Sequence, residues 1–262
     1  MDVVRARSIA KNRSFWYFAA ANACLREGKE MNKRIILAAD ELTAEQLLHL
    51  MKVVGDRPYA VKIHNLFDEH GKAVIDWLKG YGAKVWVDAK LHDIPNTVGH
   101  RAAAIKKAGA DILTVHASGG VEMMKKAKEH GPEEVYGVTV LTSLDVSSTL
   151  QIYNDHVVNV VLNLGRMASL AGLDGIVCSP QEVETLRYEI GIRPDMKFVT
   201  PGIRSMGKDA NDQQRIATPG QAMLNGSSFL VIGRQITQAK DPILAIEQIE
   251  REIEEALSKK GI

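Results

Sequence analysis

The sequence carries almost no excess of charge, few cysteines and no long apolar run, and each shortage removes a class of function. Thirty-three basic side chains stand against 32 acidic ones, a formal net charge of +1. Such a balance supplies no field for nucleic acid or an anionic membrane, so any anion site has to be local. The two cysteines, Cys24 and Cys178, have neither metal-ligand spacing nor the density of a disulfide framework. That usage fits a reducing, cytoplasmic setting. No uninterrupted apolar stretch reaches the ~18 residues that a membrane-spanning helix requires. Also missing are a Ser/Pro-rich linker and a G-x-G-x-x-G after the first strand, and the second absence argues against a dinucleotide fold.

What is present is ordinary in composition, with 45% apolar and 25% charged residues among 262. That length accommodates two small domains or one large α/β barrel. Residues 1–30 stand apart. They carry Arg5, Arg7, Lys11 and Arg13 against one early acid, Asp2, ahead of Ser14-Phe15-Trp16-Tyr17-Phe18. Basic, acid-poor character is that of an organelle transit peptide. The other reading, which we prefer, is an extension appended before Met31, where the first strand-like run begins.

From Met31 to the C-terminus, short apolar runs alternate with stretches of helical period. The pattern predicts strands over 34–39, 59–63, 84–89, 111–116, 135–141, 175–178, 197–200 and 229–232. Helices are predicted over 43–54, 66–80, 95–108, 121–130, 154–171, 181–190, near 221, and over 242–257. Strands that alternate with helices imply a parallel sheet. Eight units in one rhythm, with no break, fit a single closed (β/α)8 barrel of the TIM type spanning residues 31–262.

In such a barrel the site lies at the C-terminal strand ends, and residues two apart on a strand share a face. The polar residues at those ends are Asp40, Lys62, Asp88, Lys90, His116 and Thr142. Walking back two at a time meets mostly apolar side chains: Ala38 and Ile36, Ala60, Trp86, Thr114 and Ile112, Val140 and Val138. A packed interior capped by converging polar groups is the pattern of a site. Within it, Asp88 and Lys90 share a face, and Asp93 follows on the loop. A lysine among carboxylates is favoured as ammonium. It is then a fixed cation that donates a proton and stabilises negative charge, rather than an imine-forming nucleophile. A buried ion pair that only fixes the strand end is the alternative on these residues alone.

The loop after the seventh strand contains Pro201-Gly202-Ile203-Arg204 and continues through Asn211 to Arg215, and the eighth strand leads into Gly233-Arg234. Barrels commonly bind phosphate with these two loops; glycine permits close approach and arginine offers paired donors. The length of the loop also suits a lid. A surface loop without a ligand is the plainer reading.

The run D-A-K-L-H-D-I-P-N-T, from Asp88 to Thr97, resembles the signature of orotidine 5'-monophosphate decarboxylases. The likeness continues in T-V-H-A-S-G-G from Thr114, V-T-V-L-T-S from Val138, P-G-I-R from Pro201, N-D-Q-Q-R from Asn211 and I-G-R from Ile232. It covers Met31 to the C-terminus. The resemblance implies a homodimeric barrel that converts orotidine 5'-monophosphate to uridine 5'-monophosphate and carbon dioxide, with neither metal nor organic cofactor. It implies that Lys90 protonates C6, that Asp88 lies against the departing carboxylate, and that Asp93 and Thr97 enter the neighbouring subunit's site. It assigns Asp40 and Lys62 to the ribose, Thr142 to the base, and Gln213, Arg234, Arg204 and the adjoining Gly233 to the phosphate. Two departures are Ala39 before Asp40, where many bacterial members have Leu, and the second strand's end Lys62-Ile63-His64, where Gly commonly follows. D-x-K-x-x-D is shared with magnesium-dependent keto-sugar-phosphate decarboxylases and hexulose-phosphate synthases, which form the alternative reading.

Overall fold

The computed structural model describes residues 33–205 and 217–259. The N-terminal extension, most of the loop after the seventh strand and Gln213 lie outside the described residues. The eight strands are β1 (Ile35–Ala38), β2 (Ala60–Ile63), β3 (Val85–Leu91), β4 (Ile112–His116), β5 (Glu134–Val138), β6 (Gly175–Val177), β7 (Lys197–Thr200) and β8 (Phe229–Ile232). Each pairs in parallel with the next, and β8 returns to pair with β1, closing the barrel. The fold expected from the alternating pattern is the one found.

Two apolar layers hold it. Side chains on one face of each strand, such as Ile36, Ala60, Trp86, Ile112 and Val231, fill the barrel interior. Those on the other face, including Leu37, Val61, Val85 and Leu113, pack against the surrounding helices. The walk-back residues Ile36, Ala60, Trp86 and Ile112 therefore sit where strand alternation sends them.

The helices are α1 (Ala44–Val54), α2 (Asn65–His70), α3 (Lys72–Gly80), α4 (Pro95–Ala108), α5 (Val121–His130), α6 (Val146–Tyr153), α7 (Val157–Leu170), α8 (Val183–Arg187), α9 (Pro219–Leu224), α10 (Arg234–Thr237) and α11 (Pro242–Lys259). Local chemistry explains their ends. Thr43 and Gln46 form a capping box before α1, and Pro95 opens α4, where its missing donor costs nothing. Among the described residues no helix is long and apolar enough to cross a membrane.

Several elements depart from the sequence expectation: β3 runs on to Leu91, and the short helix α10 follows β8 directly. The helix expected over 66–80 is broken at Gly71, whose φ of 55° admits a left-handed turn. Strand β5 ends at Val138 rather than at 141. The stretch before residue 154 contains an additional helix, α6, whose first-turn Ser148 N–H donates to the Asp145 carboxylate at 2.7 Å. It stops at Asn154, a left-handed residue with φ 54°. Its Val-Ser-Ser-Thr opening is a poor helix former, so the caps rather than propensity define it.

Candidate active site

The site is built where β3 leaves regular pairing. Val87 stands opposite Leu113 on β4 and Leu91 opposite Val115, so four steps along β3 run against two along β4. The surplus is taken up in a bulge containing Asp88, Ala89 and Lys90. Lys90 itself adopts φ 43°, a left-handed conformation that a non-glycine residue holds at a cost of about 1–3 kcal/mol. Strain of this kind persists where surrounding contacts over-determine it, and such positions cluster at functional sites.

The contacts converge on one carboxylate. Asp88, 5% exposed, accepts a hydrogen bond from the Thr114 hydroxyl at 2.6 Å through Oδ1. Its Oδ2 accepts from Lys90 Nζ at 2.8 Å and lies 3.1 Å from Lys62 Nζ. Lys62 Nζ also donates to both oxygens of Asp40, at 2.5 and 2.6 Å. The result is an alternating chain, Asp40–Lys62–Asp88–Lys90. Burial pushes the Asp88 carboxyl upward, but Lys62, then Lys90, and the hydrogen bonds from Lys90 and Thr114 outweigh it and hold the group far below the usual carboxylate range. Burial likewise disfavours the Lys62 ammonium, and Asp88 and then Asp40 outweigh it, so its pKa lies above the ordinary lysine value.

This chain lines a cavity of about 470 Å³ at the C-terminal mouth of the barrel. Of the residues singled out in the sequence, Asp40, Lys62, Asp88, Lys90, Thr142, Arg204, Gly233 and Arg234 all line it, as does His64. The apolar wall comes from Trp86, Val138, Val140 and Val231. Thr142 reaches the cavity from the loop beyond β5, not from a strand end as the longer predicted strand required. Gly202, with φ 74°, gives the loop after β7 its turn, and Ile203 pairs with Ala217 to close the loop at its base. Gly233 packs so tightly on β1 that an added Cβ would lie 3.3 Å from the Ala38 carbonyl oxygen.

Three expected residues are not among those lining this cavity. His116 is half-buried and faces His92, with ring centroids 5.6 Å apart. Burial, then His92 and Lys90, lowers its pKa. Asp93 is exposed and accepts from the Ile94 N–H at 2.7 Å. Thr97 lies in the first turn of α4, half-buried. Sequence reasoning missed Glu41, which lines the cavity beside Asp40 and lies 3.6 Å from Arg234; only its position directly after a strand-end acid could have signalled it.

Residues 33–249 match the family described as "Orotidine 5'-phosphate decarboxylase / HUMPS family". The chain belongs to this family. Among curated proteins, an orotidine 5'-phosphate decarboxylase of Actinobacillus pleuropneumoniae is 42% identical over 231 residues, covering 85% of this chain and 100% of that protein. One from Pseudoalteromonas translucida is 40% identical over 233 residues, covering 86% and 99%. Among solved structures, orotidine 5'-phosphate decarboxylase from Lactobacillus acidophilus superposes with a TM-score of 0.72 at 37% identity, covering 84% of this chain and 99% of that one. The orotidine 5'-phosphate decarboxylase / HUMPS match thus spans all eight strands and the charged residues that line the cavity.

Proposed function

We infer that this chain decarboxylates orotidine 5'-monophosphate to uridine 5'-monophosphate and carbon dioxide. The observation that carries the reading is the Lys90–Asp88 pair, fixed in the lining of a cavity that Arg204 and Arg234 also line. On this reading Arg234, Arg204, Gly233 and Gln213 take the phosphate, Asp40 and Lys62 the ribose hydroxyls, and Thr142 the base. The substrate carboxylate then lies toward Asp88, with C6 beside Lys90. The bond from C6 to the carboxylate breaks, carbon dioxide leaves, and the electron pair left on C6 takes a proton from the Lys90 ammonium. Solvent returns a proton to Lys90.

Preorganised charge does most of the catalytic work here, because no group delocalises the electron pair. Asp88 has both oxygens engaged and cannot turn away from an incoming carboxylate, so anionic repulsion falls on the ground state. That repulsion is relieved as neutral carbon dioxide forms. Phosphate contacts remote from C6 supply binding energy that offsets it.

The magnesium-dependent reading fits less well. Asp40 has both oxygens on Lys62, and Asp88 is engaged by Lys62, Lys90 and Thr114. A cation introduced there would face an ammonium at each carboxylate. Among the described residues no group of three or more His, Cys, Asp or Glu side chains is arranged to hold a metal ion. An absorbance assay with orotidine 5'-monophosphate decides between the readings: we expect turnover that chelator leaves intact. Turnover lost to chelator and restored by magnesium would overturn this assignment.

The functional unit on this reading is a homodimer in which Asp93 and Thr97 serve the neighbouring site. It is supported by their standing outside their own chain's cavity and by the 67%-exposed Ile94 between them. We assign the reaction to the cytoplasm, in keeping with the sparse cysteine usage of the sequence, and read residues 1–30 as an addition outside the catalytic barrel, in keeping with a family match that begins at residue 33.

A further inference from the structure

Three acidic side chains line the cavity among the described residues: Asp40, Glu41 and Asp88. Two of them are consumed by lysines at hydrogen-bonding distance. Glu41 is different. Its Oε1 lies 3.6 Å from Arg234 Nη1, too far for a hydrogen bond, and its side chain is 57% exposed against 27% for the arginine. Its charge is therefore felt as repulsion by any anion that approaches Arg234.

The fold explains the meeting. Strands β1 and β8 are neighbours, and Gly233 packs directly on Ala38. The residues that follow these strand ends are thereby brought to one seam of the barrel mouth. Asp40 turns toward Lys62 on β2, and Glu41 is left facing the β8 side.

We propose that Glu41 is a resident counter-anion for Arg234 that limits how tightly the cavity holds a phosphate group. A phosphate arriving at Arg234 offers paired oxygens at hydrogen-bonding distance, which the loose carboxylate does not. It displaces Glu41 from the arginine but then sits beside a negative charge. That residual repulsion weakens the grip on the substrate's phosphate and on the product's alike, and it speeds product departure. The inference rests on the phosphate assignment made above, and it concerns a residue to which that assignment gives no role.

The test compares Glu41→Gln with wild-type protein in binding three probes: uridine 5'-monophosphate, inorganic phosphate and uridine. Removing a half-exposed charge of this kind should tighten both phosphate-bearing probes about two- to fivefold at low salt, a gain that shrinks as salt rises, and leave uridine unchanged. Equal tightening of uridine would mark a general change in cavity shape and overturn the proposal. So would unchanged or weaker binding of uridine 5'-monophosphate. Wild-type protein that binds neither phosphate-bearing probe would overturn the phosphate assignment together with this inference. Wild-type protein that binds and turns over nucleotide, with an unaltered Glu41→Gln variant, would overturn this inference alone.

Discussion

Two buried carboxylates lie at opposite ends of the same barrel, and each gathers two lysines and at least one hydroxyl. At the C-terminal end Asp88 meets Lys62, Lys90 and Thr114. At the N-terminal end Glu134, the first residue of β5, meets Lys197 at 2.7 Å, Lys84 at 3.6 Å, the Tyr59 hydroxyl at 2.7 Å and the Tyr136 hydroxyl. Both are held below the ordinary carboxyl value by these partners, against the opposing push of burial. Composition and charge state therefore fail to distinguish the two clusters. What distinguishes them is their setting. Glu134 lies in a packed aromatic plug, where Tyr59 stacks on Phe229 at 4.0 Å and Tyr136 meets the edge of Trp86. Asp88 faces the cavity, and its partner Lys90 is carried on strained backbone within a bulge. On the proposed reading, ion-pair chemistry becomes catalytic only where a ligand can reach it.

That comparison is open to direct attack. Neutralising Asp88 should lower turnover about 10³-fold or more, whereas Glu134→Gln should leave the turnover of folded protein within about twofold of wild type, being remote from the cavity. Steady-state absorbance assays read both, and equal losses would erase the distinction. Stability is expected to change at this end as well. Glu134→Gln removes the partner of a partly exposed Lys197 and alters two tyrosine hydrogen bonds, and should cost about 1–3 kcal/mol in denaturant unfolding.

Mixing Asp93→Asn subunits with Asp88→Asn subunits tests whether one end of the barrel is completed by a second chain. If it is, random heterodimers carry one intact site each, and about a quarter of wild-type activity should return. No recovery above the two parents would show that each site is self-contained.

The smallest effect lies in acid. A carboxyl held low in the folded state contributes stability that is complete above its unfolded-state value and is lost as pH falls. The ordinary values are 3.8 for Asp88 and 4.5 for Glu134. Wild-type stability should therefore decline below about pH 5, and Glu134→Gln should show a shallower acid limb. An acid limb of unchanged slope in that variant would mean the plug contributes nothing to it.

The two ends also differed in how far the sequence exposed them. Strand alternation led to the cavity because polar residues stand out at the ends of apolar runs, and Asp40, Lys62, Asp88 and Lys90 converge as that pattern requires. It did not reveal how Lys90 gets there. Regular pleating already put Lys90 on the face of Asp88, so the bulge and the left-handed φ left no mark on the pattern. Thr142 was reached through a strand drawn too long, since Thr139-Val140-Leu141 reads as strand by propensity and only tertiary pairing ends β5 at Val138. The Glu134 plug went unread because its members lie 75, 2 and 63 residues apart along the chain from that glutamate. No local window contains them. Glu41 was passed over for a related reason: its partner Arg234 is brought near only when the barrel closes.

The most direct measurement sets Lys90→Ala beside Lys197→Ala, one lysine from each cluster, in an absorbance assay of orotidine 5'-monophosphate with chelator present. Circular dichroism confirms that both variants are folded, and binding of uridine 5'-monophosphate confirms an intact cavity. We expect Lys90→Ala to lose at least about 10⁴-fold in turnover, because proton donor and fixed charge go together, and Lys197→Ala to stay within about threefold of wild type. Undiminished turnover by Lys90→Ala, or an equal collapse in folded Lys197→Ala, would contradict the assignment of catalysis to the cavity end of the barrel.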